Sequence, residues 1–150
     1  MNKTIFITGA AKRIGKEIAL CFSEMGWNII IHYNSSKNDA QVLADEINGN
    51  NPDSAITVQG NLDVKEDVEK VINEVRDAFP TIDLLINNAS TFYPTPIEDI
   101  SEEHWDKLVG SNLKGPLFLI KGLKDKLKES KGSIINITDP KLSKGVANYS

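Results

Sequence analysis

The 150-residue chain has a single cysteine, Cys21, so no internal disulfide can form, and such sparing use suits a reducing compartment. Cys21 lies beside Ala19, Leu20 and Phe22 in a helical pattern, where a buried thiol is expected. No apolar run is long enough to span a membrane. The apolar run after Lys3 is also too short for a signal peptide, and it ends at Lys12-Arg13. Positive charge is not in excess: the net charge of -4 argues against a nucleic-acid surface. Low-complexity linkers and solenoid repeats are absent too. The expectation is one cytoplasmic domain over residues 1–150, long enough to bury a real core.

What the chain does contain is alternation. Apolar runs at 4–8, 27–33, 55–60, 82–87 and 133–138 alternate with helical patterns. The centre of 27–33, Ile29-Ile30-Ile31, is continuously apolar, as in a strand buried on both faces of a parallel sheet. The pattern predicts an α/β fold: a Rossmann-type, doubly wound parallel sheet with about five strands. Ser36 with Asp39, Asp63 with Glu66, and Ser101 are expected to cap helices. Asn48 to Asp53 reads as turn chemistry, and Gly115-Pro116 is expected to break or bend the fourth helical pattern.

One stretch organises the rest: Thr4-Ile5-Phe6-Ile7-Thr8-Gly9-Ala10-Ala11-Lys12-Arg13-Ile14-Gly15. Strand, tight turn and helix aim a helix N-terminus, with its free N–H groups, at an anionic ligand, most often a dinucleotide pyrophosphate. Gly9 permits the turn, and Gly15 lets helix and sheet approach closely. After the second strand comes another absence. NAD-binding folds usually place an acid there, whereas this chain has His32-Tyr33-Asn34-Ser35-Ser36-Lys37 and no carboxylate before Asp39. Hydroxyls and an amide, with Lys12, Arg13 and Lys37 nearby, suit a 2′-phosphate, so NADP is favoured over NAD. Asn61-Leu62-Asp63 ends the third strand, where a polar side chain could meet an adenine edge. Asn87-Asn88-Ala89-Ser90 ends the fourth with small and amide residues that admit a flat ligand.

Thr8-Gly9 with Gly15, Asn87-Asn88-Ala89, Asn112 and Gly132-Ser133-Ile134-Ile135-Asn136-Ile137 together resemble the short-chain dehydrogenase/reductases over essentially the whole chain. Arg13 in place of the middle glycine of the turn, His32-Tyr33, the loop Asn88 to Pro96 and Asp139 after the fifth strand are similar to the pteridine reductases. The resemblance implies an NADPH-dependent oxidoreductase that delivers hydride to a pterin or folate ring C=N. It implies that Gly9, Lys12, Arg13 and Ile14 hold the pyrophosphate, that His32, Tyr33, Asn34, Ser35 and Ser36 surround the 2′-phosphate, and that Asn61 and Leu62 flank adenine. Asn88, Ala89 and Ser90 would line the nicotinamide; Arg13, Ser90 and Phe92 would bind the pterin, with Phe92 stacking on it. Asn112 and Asp139 would be the catalytic residues, both in proton relay. A homo-tetramer of the full-length form is implied; no metal, nucleic acid or membrane partner is expected.

The superfamily draws its proton from a Tyr-x-x-x-Lys pair after the fifth strand. Tyr149 falls slightly early for that role, and the pair would begin just past Ser150. The expectation is therefore the N-terminal part of a longer fold, without its last strands and inactive in the 150-residue form. Two other readings stay open: a reductase of another carbonyl or 3-oxoacyl substrate, and a non-catalytic dinucleotide-binding or sensor domain.

Overall fold

Strand β1 (Thr4–Ile7) is fully buried, and the pleat sends its side chains alternately into two different cores. Ile5 and Ile7 pack with Ile29 and Ile31, while Phe6 packs with Ile30 and Leu85 on the other face. The structure is a computed structural model that describes residues 2–139. Tyr149 and the rest of the segment after Asp139 lie outside the described residues.

From β1 the chain runs through α1 (Arg13–Glu24), β2 (Asn28–Tyr33), α2 (Lys37–Asn50), β3 (Ala55–Gln59), α3 (Lys65–Ala78) and β4 (Leu84–Asn87). It continues through α4 (Glu102–Val109), a π-helical turn (Gly110–Lys114), α5 (Gly115–Ser130) and β5 (Ser133–Asn136). The five strands form one parallel sheet in the order β3-β2-β1-β4-β5. Residues of α1 and α2 cover the Ile5 face; α3 and α5 cover the Phe6 face, with Val68, Val71 and Val75 facing Leu119, Leu123 and Leu127. This is the doubly wound α/β sheet that the alternation predicts. The chain's order reverses between β1 and β4, and ligands in such sheets bind in the crevice beyond the strand C-termini at that point.

Several local expectations are corrected. Helix α2 runs on to Asn50 through residues read as a turn, because Asn48 spends its amide on strand β3: Nδ2 donates to the Ala55 carbonyl and Oδ1 accepts from the Ala55 N–H. Ser36 makes no side-chain cap to α2, and Asp39 pairs with Lys12 instead. Asp63 and Glu66 form no capping box: α3 starts after Val64, and Asp67 Oδ2 accepts from the Asn61 N–H. The Ser101 cap is present, completed by His104. The expected break at Gly115-Pro116 falls one turn earlier, as the π turn. Pro116 sits in the first turn of α5, where its missing N–H has no ladder bond to break. Cys21 is exposed, because the buried stripe of α1 runs through Gly15, Ala19 and Ser23. Among the described residues no helix is long and apolar enough to cross a membrane. All four residues of β5 are exposed, so Ile134 and Ile135 are uncovered on their opposite faces.

Phe6 is fully buried where the central strand meets α3 and α5. Phe6→Ala is expected to lower the unfolding free energy by about 3–5 kcal/mol, checked by urea denaturation.

Candidate functional site

The site is built where the ends of β1 and β4 are tied to the start of α1. Thr8 Oγ1 accepts from the N–H groups of both Asn88 and Ala89 at 2.9 Å, and donates to the Ile86 carbonyl at 3.4 Å. Asn88 Nδ2 returns the bond to the carbonyls of Thr8 (2.9 Å) and Gly9 (3.1 Å). Five bonds thus fix two loops against each other. Gly9 has φ +62°, and a Cβ there would stand 3.0 Å from Ala89 Cα. At Gly15 a Cβ would stand 2.6 Å from the Gly9 carbonyl and 2.7 Å from Asn88 Nδ2. Both glycines are needed for the close approach of helix, turn and strand ends.

Helix α1 opens onto a cleft of about 490 Å³. Lys12, at its N-cap, provides no side-chain hydrogen bond, and the first turn carries no acid. The N–H groups and the positive end of the helix dipole are left facing the cleft, which suits an anion. Arg13 holds a left-handed φ of 53° there and is exposed. Toward the other end, Asp63 Oδ1 is buried without a hydrogen-bond partner. Burial raises the Asp63 pKa, and the nearby Lys107 opposes the shift. An elongated ligand with an anionic centre and a donor-bearing ring fits this arrangement, and a dinucleotide is one.

Of the residues expected to bind cofactor, Gly9, Lys12, Arg13, Ile14, His32, Asn34, Asn61, Leu62, Asn88, Ala89 and Ser90 all line the cleft. Ser35 and Ser36 line an adjoining hollow with Lys12, Lys37 and Asp39. Two of the expected residues sit largely inside the fold. Tyr33 is buried against the α1/α2 core and does not line the cleft. His32 borders the cleft but is only 1% exposed; its Nδ1 accepts from the Gly9 N–H (3.1 Å), and Nε2 lies 3.0 Å from the Gly60 carbonyl. The imidazole is engaged inside the fold and does not present itself to a 2′-phosphate. Phe92 is 63% exposed and stands outside the cleft lining. Asn112, on the π turn, holds the loop after β4: Oδ1 accepts from the Thr91 N–H (3.1 Å) and Nδ2 donates to the Thr91 carbonyl (2.8 Å). Asp139 is exposed at the end of the described residues, beyond β5. Among the described residues no cluster of ligating side chains could hold a metal ion.

Sequence reasoning missed the Thr8 hydroxyl and the lining residues Thr91 and Ser111; Asp63, expected mainly as a helix cap, lines the cleft with Asn61 and Leu62. A threonine directly before the turn glycine was the available signal for the first; the others depend on how loops fold back.

Burial lowers the His32 pKa to about 4, opposed by the hydrogen bond with Gly60. The unfolded chain takes up this proton near its ordinary value of 6.5, while the native imidazole resists until about pH 4. Stability therefore falls as pH drops through that window and levels off below it, a loss of roughly 3 kcal/mol from this group. Denaturation series from pH 7 to 4 on the wild type and His32→Asn are expected to differ in this slope. Gly15→Ala is expected to cost about 1–3 kcal/mol, read as a lowered melting temperature, because backbone and Asn88 must move aside.

The profile of the short chain dehydrogenase family matches residues 3–150. A 3-oxoacyl-[acyl-carrier-protein] reductase FabG of Staphylococcus epidermidis is 34% identical over 139 residues, 92% of this chain and 57% of that protein. An NAD-dependent glycerol dehydrogenase of Listeria innocua is 34% identical over 91% of this chain and 52% of its own length. A 3-oxoacyl-[acyl-carrier-protein] reductase of Synechocystis is 34% identical over 96% and 60%. The chain thus spans somewhat more than half the length of these relatives.

Proposed function

The chain belongs to the short chain dehydrogenase family, and from that premise we propose that residues 1–150 form the dinucleotide-binding domain of an NADPH-dependent reductase. The observation that carries this reading is the uncapped start of α1 facing a cleft that two glycines and the Thr8–Asn88 knot hold open. When bound, the nicotinamide would supply a hydride. The N–H groups of Arg13 and Ile14 and the Arg13 guanidinium would hold the pyrophosphate. Asn34, Ser35 and Ser36, with Lys12 and Lys37, would receive the 2′-phosphate; Asp39, which lines the same hollow, already pairs with Lys12 at 3.0 Å. Asn61 and Leu62 would flank adenine, and Asn88, Ala89 and Ser90 would pack along the nicotinamide. Asn112 would act by holding Thr91 and the substrate-side loop, and Asp139 by passing a proton.

A carbonyl of 3-oxoacyl type is the substrate class that the relatives' names support, since two of those compared are 3-oxoacyl reductases. A pterin is the second reading, and the planar fork of the Arg13 guanidinium suits it as well as it suits the pyrophosphate. Its left-handed φ costs an arginine roughly 1–2 kcal/mol that a glycine would avoid. Such strain at a cleft is accounted for if the guanidinium binds something. The exposed apolar side chains Trp105, Leu113, Leu117 and Phe118 of the α4–α5 segment support a homo-oligomer, a tetramer in the full-length form.

Titration of NADPH and NADH, followed by cofactor fluorescence, is expected to give at least about tenfold tighter binding of NADPH; a preference for NADH overturns the NADP assignment. Arg13→Gly is expected to weaken NADPH by about tenfold while leaving the melting temperature unchanged or higher. NADPH consumption by the full natural chain with a 3-oxoacyl thioester or a dihydropterin decides between the substrates. Residues 1–150 alone are expected to bind without turnover.

A further inference from the structure

His32 joins three parts of the cleft wall through one side chain and one carbonyl. Its Nδ1 accepts from the Gly9 N–H, and its main-chain carbonyl accepts from the Ala10 N–H at 2.9 Å. Two consecutive donors of the turn are thereby consumed by a single residue. Its Nε2 meets the Gly60 carbonyl at the end of β3. A carbonyl can only accept, so Nε2 carries the proton and Nδ1 is left with the lone pair that Gly9 requires. The ring is neutral, with both nitrogens engaged, and it stands edge-on to Phe6 with a 6.4 Å centroid separation. No hydrogen-bonding capacity of this side chain is left for a ligand.

Gly9 is a residue where a left-handed φ coincides with a lack of room for a side chain, since a Cβ there would stand 3.0 Å from Ala89 Cα. A small displacement of its peptide would move the Gly9 carbonyl, which Asn88 holds, and the start of α1 with it. Because Gly9 and Ala10 direct their N–H groups to His32, a phosphate at the turn must be met by the later N–H groups at the start of α1.

We propose that His32 is a positioning residue of the phosphate turn, acting through its Nδ1 bond to Gly9 to keep the α1 N-terminus aimed into the cleft. This rests on the dinucleotide reading above. It also assigns His32 a different task from contact with the 2′-phosphate.

Two substitutions separate the two ring nitrogens. In His32→Asn the amide oxygen takes the place of Nδ1 and keeps the Gly9 bond, but the side chain is too short for Gly60. In His32→Gln the amide nitrogen takes the place of Nε2 and keeps the Gly60 bond, leaving Gly9 without its acceptor. Both lower the melting temperature. NADPH titration of the full natural chain is expected to show His32→Asn within about threefold of wild type and His32→Gln weaker by about tenfold or more. Equal losses in the two variants, or a His32→Gln that binds like wild type, overturn the proposal. A wild-type chain that binds neither NADPH nor NADH overturns the underlying dinucleotide reading instead. A third measurement needs no substitution. The ring ¹⁵N shifts of wild-type His32 are expected to report an unprotonated Nδ1 and a protonated Nε2 from about pH 8 down to about pH 5, and a protonated Nδ1 overturns the proposal.

Discussion

The Thr8 hydroxyl is the point on which the cleft depends. One oxygen receives the N–H groups of Asn88 and Ala89 while donating to Ile86, so the end of the central strand and the end of β4 share a single junction. The junction is short-ranged in space but joins residues about eighty positions apart in the chain. Bonds of this kind each contribute about 1 kcal/mol net, and removing the shared oxygen would leave two part-buried donors unpaired. Gly15 then lets α1 settle directly on the junction, and the Asn88 amide fills the space that a larger residue at position 15 would take.

The two cores explain why that junction sits where it does. A strand covered on both faces is apolar along its centre, as Ile5-Phe6-Ile7 of β1 and Ile29-Ile30-Ile31 of β2 are. Toward the C-terminal ends of β1, β2 and β4 polar side chains follow, at Thr8, His32 and Asn87-Asn88. Three of these four are themselves buried and engaged in hydrogen bonds within the fold. Chemistry and framework therefore meet within one or two residues. That is also why the His32 side chain is bonded to the turn beside it while only bordering the cleft.

The sheet and its helices were legible from the pattern because continuous apolar runs and helical spacing are local properties. The turn from Gly9 to Gly15 was legible for the same reason, since strand, glycine and helix are adjacent. Errors gathered where a side chain could choose between a local cap and a distant partner. Asp39 turned to Lys12, Asn48 to Ala55, and Asp67 rather than Asp63 took the donor before α3. His32 is the clearest case: its residue type suggests a phosphate contact, but its place on a strand buried on both faces commits it to Gly9 and Gly60. Tyr33 follows the same logic one residue on, because its ring packs against the α1/α2 core.

The order β3-β2-β1-β4-β5 also bears on how the chain is made. Strands β1, β2 and β3 are neighbours in sequence and build outward on one side, so a ribosome releases that half of the sheet first. The opposite edge of β1 then waits until Leu84 emerges, with Ile5 and Phe6 lacking the neighbours that Leu84 and Leu85 later supply. At about 5–20 residues per second the wait lasts several seconds, long compared with local helix formation. During it the open edge of the central strand presents unpaired N–H and C=O groups to other chains. The turn from Gly9 to Gly15 is made early, but its Asn88 partner arrives late, so the pocket closes only when the far half of the sheet has been synthesised.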